Sequence, residues 1–471
     1  MNEAEIRYLG FFNELNAEEC LELKLNTLIQ DKLGLSRSLS VSLVIPTKVD
    51  VTEEMRSLEL NTMKLVLSEC SKLVDLGYID EIIIIDGSLD EKGNPNFNVL
   101  DRVVETAYDK LDLFQRQVKL VNDNKAQALM ASRGFFNFII KTIHQSDPTI
   151  FDIYVKFGLN LTELTRIPMG KGAALWLSIP LTTGDVVCYV DSDIMNFTKE
   201  FVIALCHPII QRWENPISPI SLVKACYNRL TLSIEPLSLN YFFGGRVTRL
   251  FARPMLRVLS WNYPDIFGGL NSLKYPLSGE FAIKKTLLES ISFPNDYSIE
   301  LAMLKQVIAS VGFTQIAQMD LNVLHHIGQS PRSLQRMVAQ IAKYIITILE
   351  KESDTFSKDM WKKIVKAYKD EVEKLLIEYA VFFNEISTGL SQDLEVKPSH
   401  SRELDLEIVK YFFSLLDKSF TYNTRNQQTE LPAWMEVNKK ANYFVVNTLL
   451  KRRGNQSTYN RLETTGLFYG L

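Results

Sequence analysis

Four consecutive isoleucines, Ile82 to Ile85, stand between Glu81 and Asp86, with Gly87 and Ser88 directly after. A run without polar alternation cannot leave one face in water, so it reads as a strand covered on both sides. The segments VSLVIP at 41–46, VVCYVDSD at 186–193 and SLVKACY at 221–227 share this texture, and VKLV at 118–121 is a weaker example. Helix-length amphipathic stretches lie between them, notably 53–76, 171–181 and 199–212. This alternation predicts an α/β fold with a mostly parallel, doubly wound sheet flanked by helices. Such sheets bind ligands beyond the carboxyl ends of their strands, where the strand order reverses. The polar strand endings at 86–88 and 191–193 are therefore the places to look for chemistry.

Outside that core the texture changes. Residues 1–40 read as an N-terminal helical segment, 41–330 as the α/β domain, and 331–471 as a helical C-terminal region broken by a polar stretch at 392–401. The Lys/Glu alternation at 362–374 reads as a solvated helix face. The balance of 52 basic and 56 acidic residues gives a net charge of −4, without the basic excess of a nucleic-acid binder. Five scattered cysteines without a CxxC pair argue against a cysteine metal site and fit a reducing compartment. No apolar run approaches the roughly 18–20 residues of a transmembrane helix, and the N-terminus carries acids rather than a basic-then-apolar leader. The expectation is a cytoplasmic protein without nucleic-acid partners.

The chemistry-bearing motifs sit at the strand ends. Asp191-Ser192-Asp193 closes a buried run, and carboxylates at i and i+2 of an extended chain point the same way. Such a pair suits Mg²⁺ or Mn²⁺ completed by substrate phosphates, as in the DxD of sugar-nucleotide transferases; the alternative is a solvated turn. Pro168-Met169-Gly170-Lys171-Gly172 opens a predicted helix, where free N–H groups and Lys171 could receive an oxyanion; the alternative is a plain helix start. His325-His326 follows a short strand at 315–323 and is either structural or a further metal ligand. In Phe243-Gly244-Gly245-Arg246-Val247-Thr248, two glycines, an arginine fork and a hydroxyl suit a phosphate or carboxylate, against a glycine turn with a surface arginine. Glu280 and Glu300 each lie among apolar residues, where an acid needs sugar hydroxyls or a salt bridge to satisfy it.

Taken in order, IPT at 45–47, IDGS at 85–88, PMGKGAALW at 168–176, VDSDIMN at 190–196, GGRVT at 244–248, ARP at 252–254, YPLSGEFA at 275–282 and YSIE at 297–300 resemble the glucosyl-3-phosphoglycerate synthases. So does the histidine after QIAQMDL at 315–321. The resemblance implies a GT-A-type fold and retaining transfer of glucose from a nucleotide-glucose to the hydroxyl of 3-phosphoglycerate, with Mg²⁺ or Mn²⁺. By that carry-over Asp193 and His326 hold the metal. Lys171 grips the diphosphate, Pro46, Ser88, Asp191 and Ser192 line the donor, Gly245, Arg246 and Thr248 take the acceptor, and Glu300 lies near the reacting sugar. The catalytic set is then Lys171, Asp191, Asp193 and Glu300. The partners implied are a nucleotide-sugar donor and a small acidic acceptor, with a homodimer allowed. The chain departs from the family at Thr47-Lys48-Val49-Asp50, at Ile327-Gly328-Gln329, in an insertion at 122–166 that carries Arg133, and in the long C-terminus. These departures leave open the donor nucleotide (UDP, ADP or GDP) and an unphosphorylated acceptor such as glycerate. A non-catalytic nucleotide-sugar binder is the reading from another class.

Overall fold

The computed structural model describes residues 7–9, 39–49, 53–98, 102, 110, 140–156, 167–213, 220–235, 238–328, 331–393, 400–423 and 430–437. Strands run in chain order as β1 (Arg7–Leu9), β2 (Val41–Thr47), β3 (Glu81–Asp86), β4 (Ile140–His144), β5 (Val186–Tyr189), β6 (Leu222–Glu235), β7 (Ser238–Phe243), β8 (Phe281–Lys284), β9 (Phe293–Pro294) and β10 (Ile316–Ile327). The longer helices are α1 (Glu53–Asp75), α2 (Pro148–Lys156), α3 (Lys171–Ser178), α4 (Lys199–Trp213), α5 (Arg253–Asn262), α6 (Ile299–Val311), α7 (Pro331–Glu352), α8 (Lys358–Asp393) and α9 (Arg402–Asn423). Two compact units divide the chain. One comprises Leu21–Ser192, Ala282–Phe293 and Leu431–Leu471, and the other Met1–Cys20, Asp193–Phe281 and Pro294–Glu430.

In the first unit β2 pairs in parallel with β3 and β5, and β3 with β4. Their spatial order, β4-β3-β2-β5, is third-second-first-fourth in chain order, the Rossmann-like half-sheet of GT-A-type folds. Ile82, Ile83, Ile84 and Ile85 are all fully buried, each contributing about 1.5–3 kcal/mol by leaving water. Helix α3 packs on β2 and β3. At the opposite strand ends Glu81 accepts from Lys141 Nζ and the Ser42 hydroxyl, both at 2.6 Å, and from the Thr183 amide at 2.5 Å. This buried acid is therefore fully satisfied and ties β2, β3 and β4 together.

Within the insertion read at 122–166, residues 140–144 form β4, and Lys141 is an interior residue of it bonded to Glu81. Arg133, the VKLV run at 118–121 and most of the 122–166 insertion lie outside the described residues.

In the second unit β10 runs parallel to β6, while β1 and β7 pair antiparallel with β10 and β6. Arg7–Leu9 is thus a strand where the sequence reads helical, and 10–38 lie outside the described residues. Helix α4 covers β6 and β10. The expected C-terminal helices are present as α7, α8 and α9. They pack on one another, on α5 and on the π-helical turn Thr248–Ala252, inside the same compact unit as β6 and β10. No helix among the described residues is long and apolar enough to cross a membrane.

Candidate active site

In the first unit the strand order reverses between β2 and β5, and the polar residues gather there. Val190 N donates to Val44 O at 3.1 Å, and the Ser192 hydroxyl donates to Thr47 Oγ1 at 3.3 Å beside Pro46. Lys171, the first residue of α3, reaches Asp191 Oδ2 at 3.3 Å, with both side chains half-buried. The helix begins there because Gly170 has φ +148°, a backbone region that favours glycine. Gln145 at the end of β4 clamps that glycine, donating to its carbonyl and accepting from its amide, each at 3.2 Å. The start of α3 therefore presents a fixed lysine and N–H groups at a strand-order switch, a setting that receives phosphate.

Ser88 stands in the same unit but its hydroxyl is spent internally. It donates to Asp86 Oδ1 at 2.6 Å and accepts from Val49 N at 2.9 Å. Asp86 is itself fully buried; burial pushes its carboxyl pKa up, against hydrogen bonds from Ser88 and the electrostatic pull of the nearby His144. Ser88 thus orders the loop after β3.

In the second unit His326 Nε2 lies 2.6 Å from Asp193 Oδ2. The other ring nitrogen, Nδ1, faces the Ile327 carbonyl, which can only accept, so Nδ1 carries the proton. Nε2 and the carboxylate oxygen thus meet at one point, close enough to give one divalent cation a ligand atom each. The donor set, an oxygen and an imidazole nitrogen with its second nitrogen anchored, suits Mn²⁺ and tolerates Mg²⁺. Within this unit Asp193 and His326 are an acid and an imidazole able to serve one ion together. Asn196 aligns the pair: it donates to Val323 O at 2.9 Å and accepts from His325 N at 2.8 Å, while Met195 N donates to His325 O. His325 is fixed through its backbone, and burial lowers the pKa of its ring.

The glycine turn lies in this unit too. Gly245 has φ +66°, and a Cβ there would sit 2.6 Å from the Tyr275 hydroxyl oxygen, so only glycine fits. Arg246 follows, half-buried, with no hydrogen bond or ion pair among the described residues; burial and the Arg249 charge lower its pKa, which Asp405 partly opposes. Thr248 is buried at the start of the π turn.

Sequence reasoning missed the residues around this turn. Tyr227 donates to Glu280 Oε2 at 2.6 Å, its ring lies 4.4 Å from that of Tyr275, and the buried Tyr275 hydroxyl has no partner among the described residues. Burial opposes the charge of Arg229, but Tyr275, Tyr227, Asp193 and Glu280 outweigh it and raise its pKa. Arg229 thereby links the surroundings of Asp193 to those of Gly245. The available signal was the Tyr-x-Arg spacing, which puts Tyr227 and Arg229 on one face of β6. Glu300 is buried in the first turn of α6.

Rossmann-ordered strands, an acidic tripeptide after β5 and a lysine-led helix beside it define a GT-A-type α/β fold. No family model matches the chain. Among curated proteins it is similar to glucosyl-3-phosphoglycerate synthases. That of Petrotoga mobilis is 34% identical over 212 residues, 44% of this chain and 60% of that protein. That of Mycobacterium tuberculosis H37Rv is 36% identical over 191 residues, covering 40% and 54%. That of Persephonella marina is 26% identical over 300 residues, covering 60% and 67%. The chain thus spans little more than half to two thirds of the length of these relatives. A crystal structure of the M. tuberculosis synthase with Mn²⁺, UDP and glucosyl-3-phosphoglycerate superposes with a TM-score of 0.45 at 23% identity, over 73% of this chain and 87% of that one.

Proposed function

We propose that this protein transfers glucose from a nucleotide-glucose to the hydroxyl of 3-phosphoglycerate with retention of anomeric configuration, assisted by Mg²⁺ or Mn²⁺. The observation that carries the reading is the Asp193–His326 pair, whose carboxylate oxygen and ring nitrogen stand close enough to share one ion. The similarity to curated synthases supports the choice of sugar and acceptor.

Asp193 and His326 would hold the cation, which supplies charge neutralisation to the departing diphosphate. Lys171 and the first amides of α3 stabilise the same developing charge, and Asp191 keeps the ammonium in place. Gly245, Arg246 and Thr248 bind the acceptor anion, Arg246 supplying a guanidinium that makes no hydrogen bond among the described residues and Gly245 the close backbone approach. The acceptor oxygen bonds to the anomeric carbon as the bond to the diphosphate oxygen breaks. The electron pair leaves on the diphosphate, and the acceptor proton passes to a diphosphate oxygen on the same face. Pro46, Ser192 and the loop ordered by Ser88 line the donor, and Glu300 orients the sugar.

A panel of UDP-, ADP- and GDP-glucose against 3-phosphoglycerate and glycerate, with and without Mn²⁺ or Mg²⁺, tests the reading. Metal-dependent appearance of glucosyl-3-phosphoglycerate is expected. Metal-independent transfer, or turnover of no nucleotide sugar at all, overturns it.

A further inference from the structure

A second arginine holds the turn that carries Arg246. Arg249 Nε donates to Gly244 O at 3.1 Å and Nη2 to Phe243 O at 3.3 Å, so the guanidinium folds back over the end of β7. Its far edge meets Asp405 of α9 fork to fork, with Nη2 donating to Oδ1 at 2.8 Å and Nη1 to Oδ2. The Phe383 and Tyr379 rings of α8 lie 5.2 and 5.7 Å from its Cζ. His400 completes the assembly, its Nε2 lying 2.9 Å from Asp405 Oδ2. Both partners of the ion pair are buried. Burial alone would raise the Asp405 pKa, but the hydrogen bonds from His400 and Arg249 bring it below the ordinary carboxylate value.

A buried ion pair gives little net stability over apolar residues of the same volume, so stability does not account for it. Its geometry does. Arg249 spends four N–H bonds on two backbone carbonyls and one carboxylate, which fixes the chain on the N-terminal side of Gly245. Resting on the acceptor reading above, we propose that Asp405, presented by the C-terminal helices, is a positioning residue for the acceptor anion. Through Arg249 it sets the backbone of the turn at 244–248 and leaves Arg246 as the guanidinium that meets the ligand.

Calorimetric titration of the full chain with 3-phosphoglycerate, and separately with inorganic phosphate, tests this on wild type, Asp405→Asn, Arg249→Lys and the double variant Arg249→Leu/Asp405→Leu. Thermal midpoints are recorded in parallel. Asp405→Asn and Arg249→Lys should weaken 3-phosphoglycerate binding roughly ten- to a hundredfold, the usual consequence of a displaced binding group. The double leucine variant separates positioning from stability: it should regain most of the thermal midpoint while its binding stays weak. Wild-type affinity in Asp405→Asn, or affinity restored together with stability in the double variant, overturns the proposal. So does a wild-type protein that binds neither probe. Loss of glucosyl transfer with 3-phosphoglycerate still bound would instead remove the proposed reaction and leave this inference standing.

Discussion

Nε2 of His326 and Oδ2 of Asp193 stand 2.6 Å apart on β10 and on the loop after β5, while the other nitrogen of the ring faces the carbonyl of Ile327. His326→Ala or Asp193→Asn should therefore weaken Mn²⁺ binding at least roughly a hundredfold, an effect as large as or larger than losing an outer partner of a metal ligand. Titration followed by electron paramagnetic resonance checks this, and an unchanged Mn²⁺ affinity in both variants would refute the site.

On the proposed mechanism, Lys171→Ala should reduce turnover by roughly 10²–10³ with little change in thermal midpoint, because it would remove charge stabilisation at the leaving group and only a half-buried ion pair. Steady-state assays with saturating donor, beside a melting curve, separate the two effects.

Arg246 has no hydrogen bond or close ion pair to lose among the described residues, so Arg246→Ala should leave the fold intact. It should raise KM for 3-phosphoglycerate roughly tenfold or more, at about 1.5–3 kcal/mol for a charged hydrogen bond. With glycerate as acceptor the same substitution should change KM little, and equal effects on both acceptors would deny Arg246 the phosphate.

His207 is fully buried in α4, and burial pushes its pKa down to about 4 from an ordinary 6.5. Between those values the unfolded chain binds the proton and the folded protein does not. The stability due to the neutral ring is thus complete above about pH 6.5 and is lost as pH falls toward 4, by about 1.4 kcal/mol per unit. Chemical denaturation from pH 7 to 5 should show this slope, and His207→Leu should flatten it.

Trp434 stacks on Trp176 of α3 with centroids 4.2 Å apart, donates to Trp176 O at 2.5 Å, and Trp176 Nε1 donates to Pro432 O at 2.8 Å. Trp434→Ala should cost about 3–5 kcal/mol. A denaturation midpoint close to wild type would show that this segment contributes nothing to the helix beneath it.

The sheet was legible where burial erases alternation. The isoleucine run and the valine-rich run before Asp191 became β3 and β5, and the glycine before Lys171 became the start of α3. The residues alone left the histidine pair at 325–326 either structural or a further metal ligand, and the family resemblance singled out His326 as the partner of Asp193, 133 residues away. Arg229 with its tyrosines, and Arg249 with Asp405, were invisible from the residues alone. Their meaning lies in partners on other elements, 156 residues away in the case of Asp405, and nothing local in the chain records the pairing.

Trp176 receives its indole cover from a residue 258 positions further along the chain. During synthesis the lysine-led helix therefore emerges long before its lid does, and it must wait in partly exposed form while everything between is made. A nascent chain halted short of that tryptophan would carry every reactive side chain named above and still lack a settled platform for Lys171.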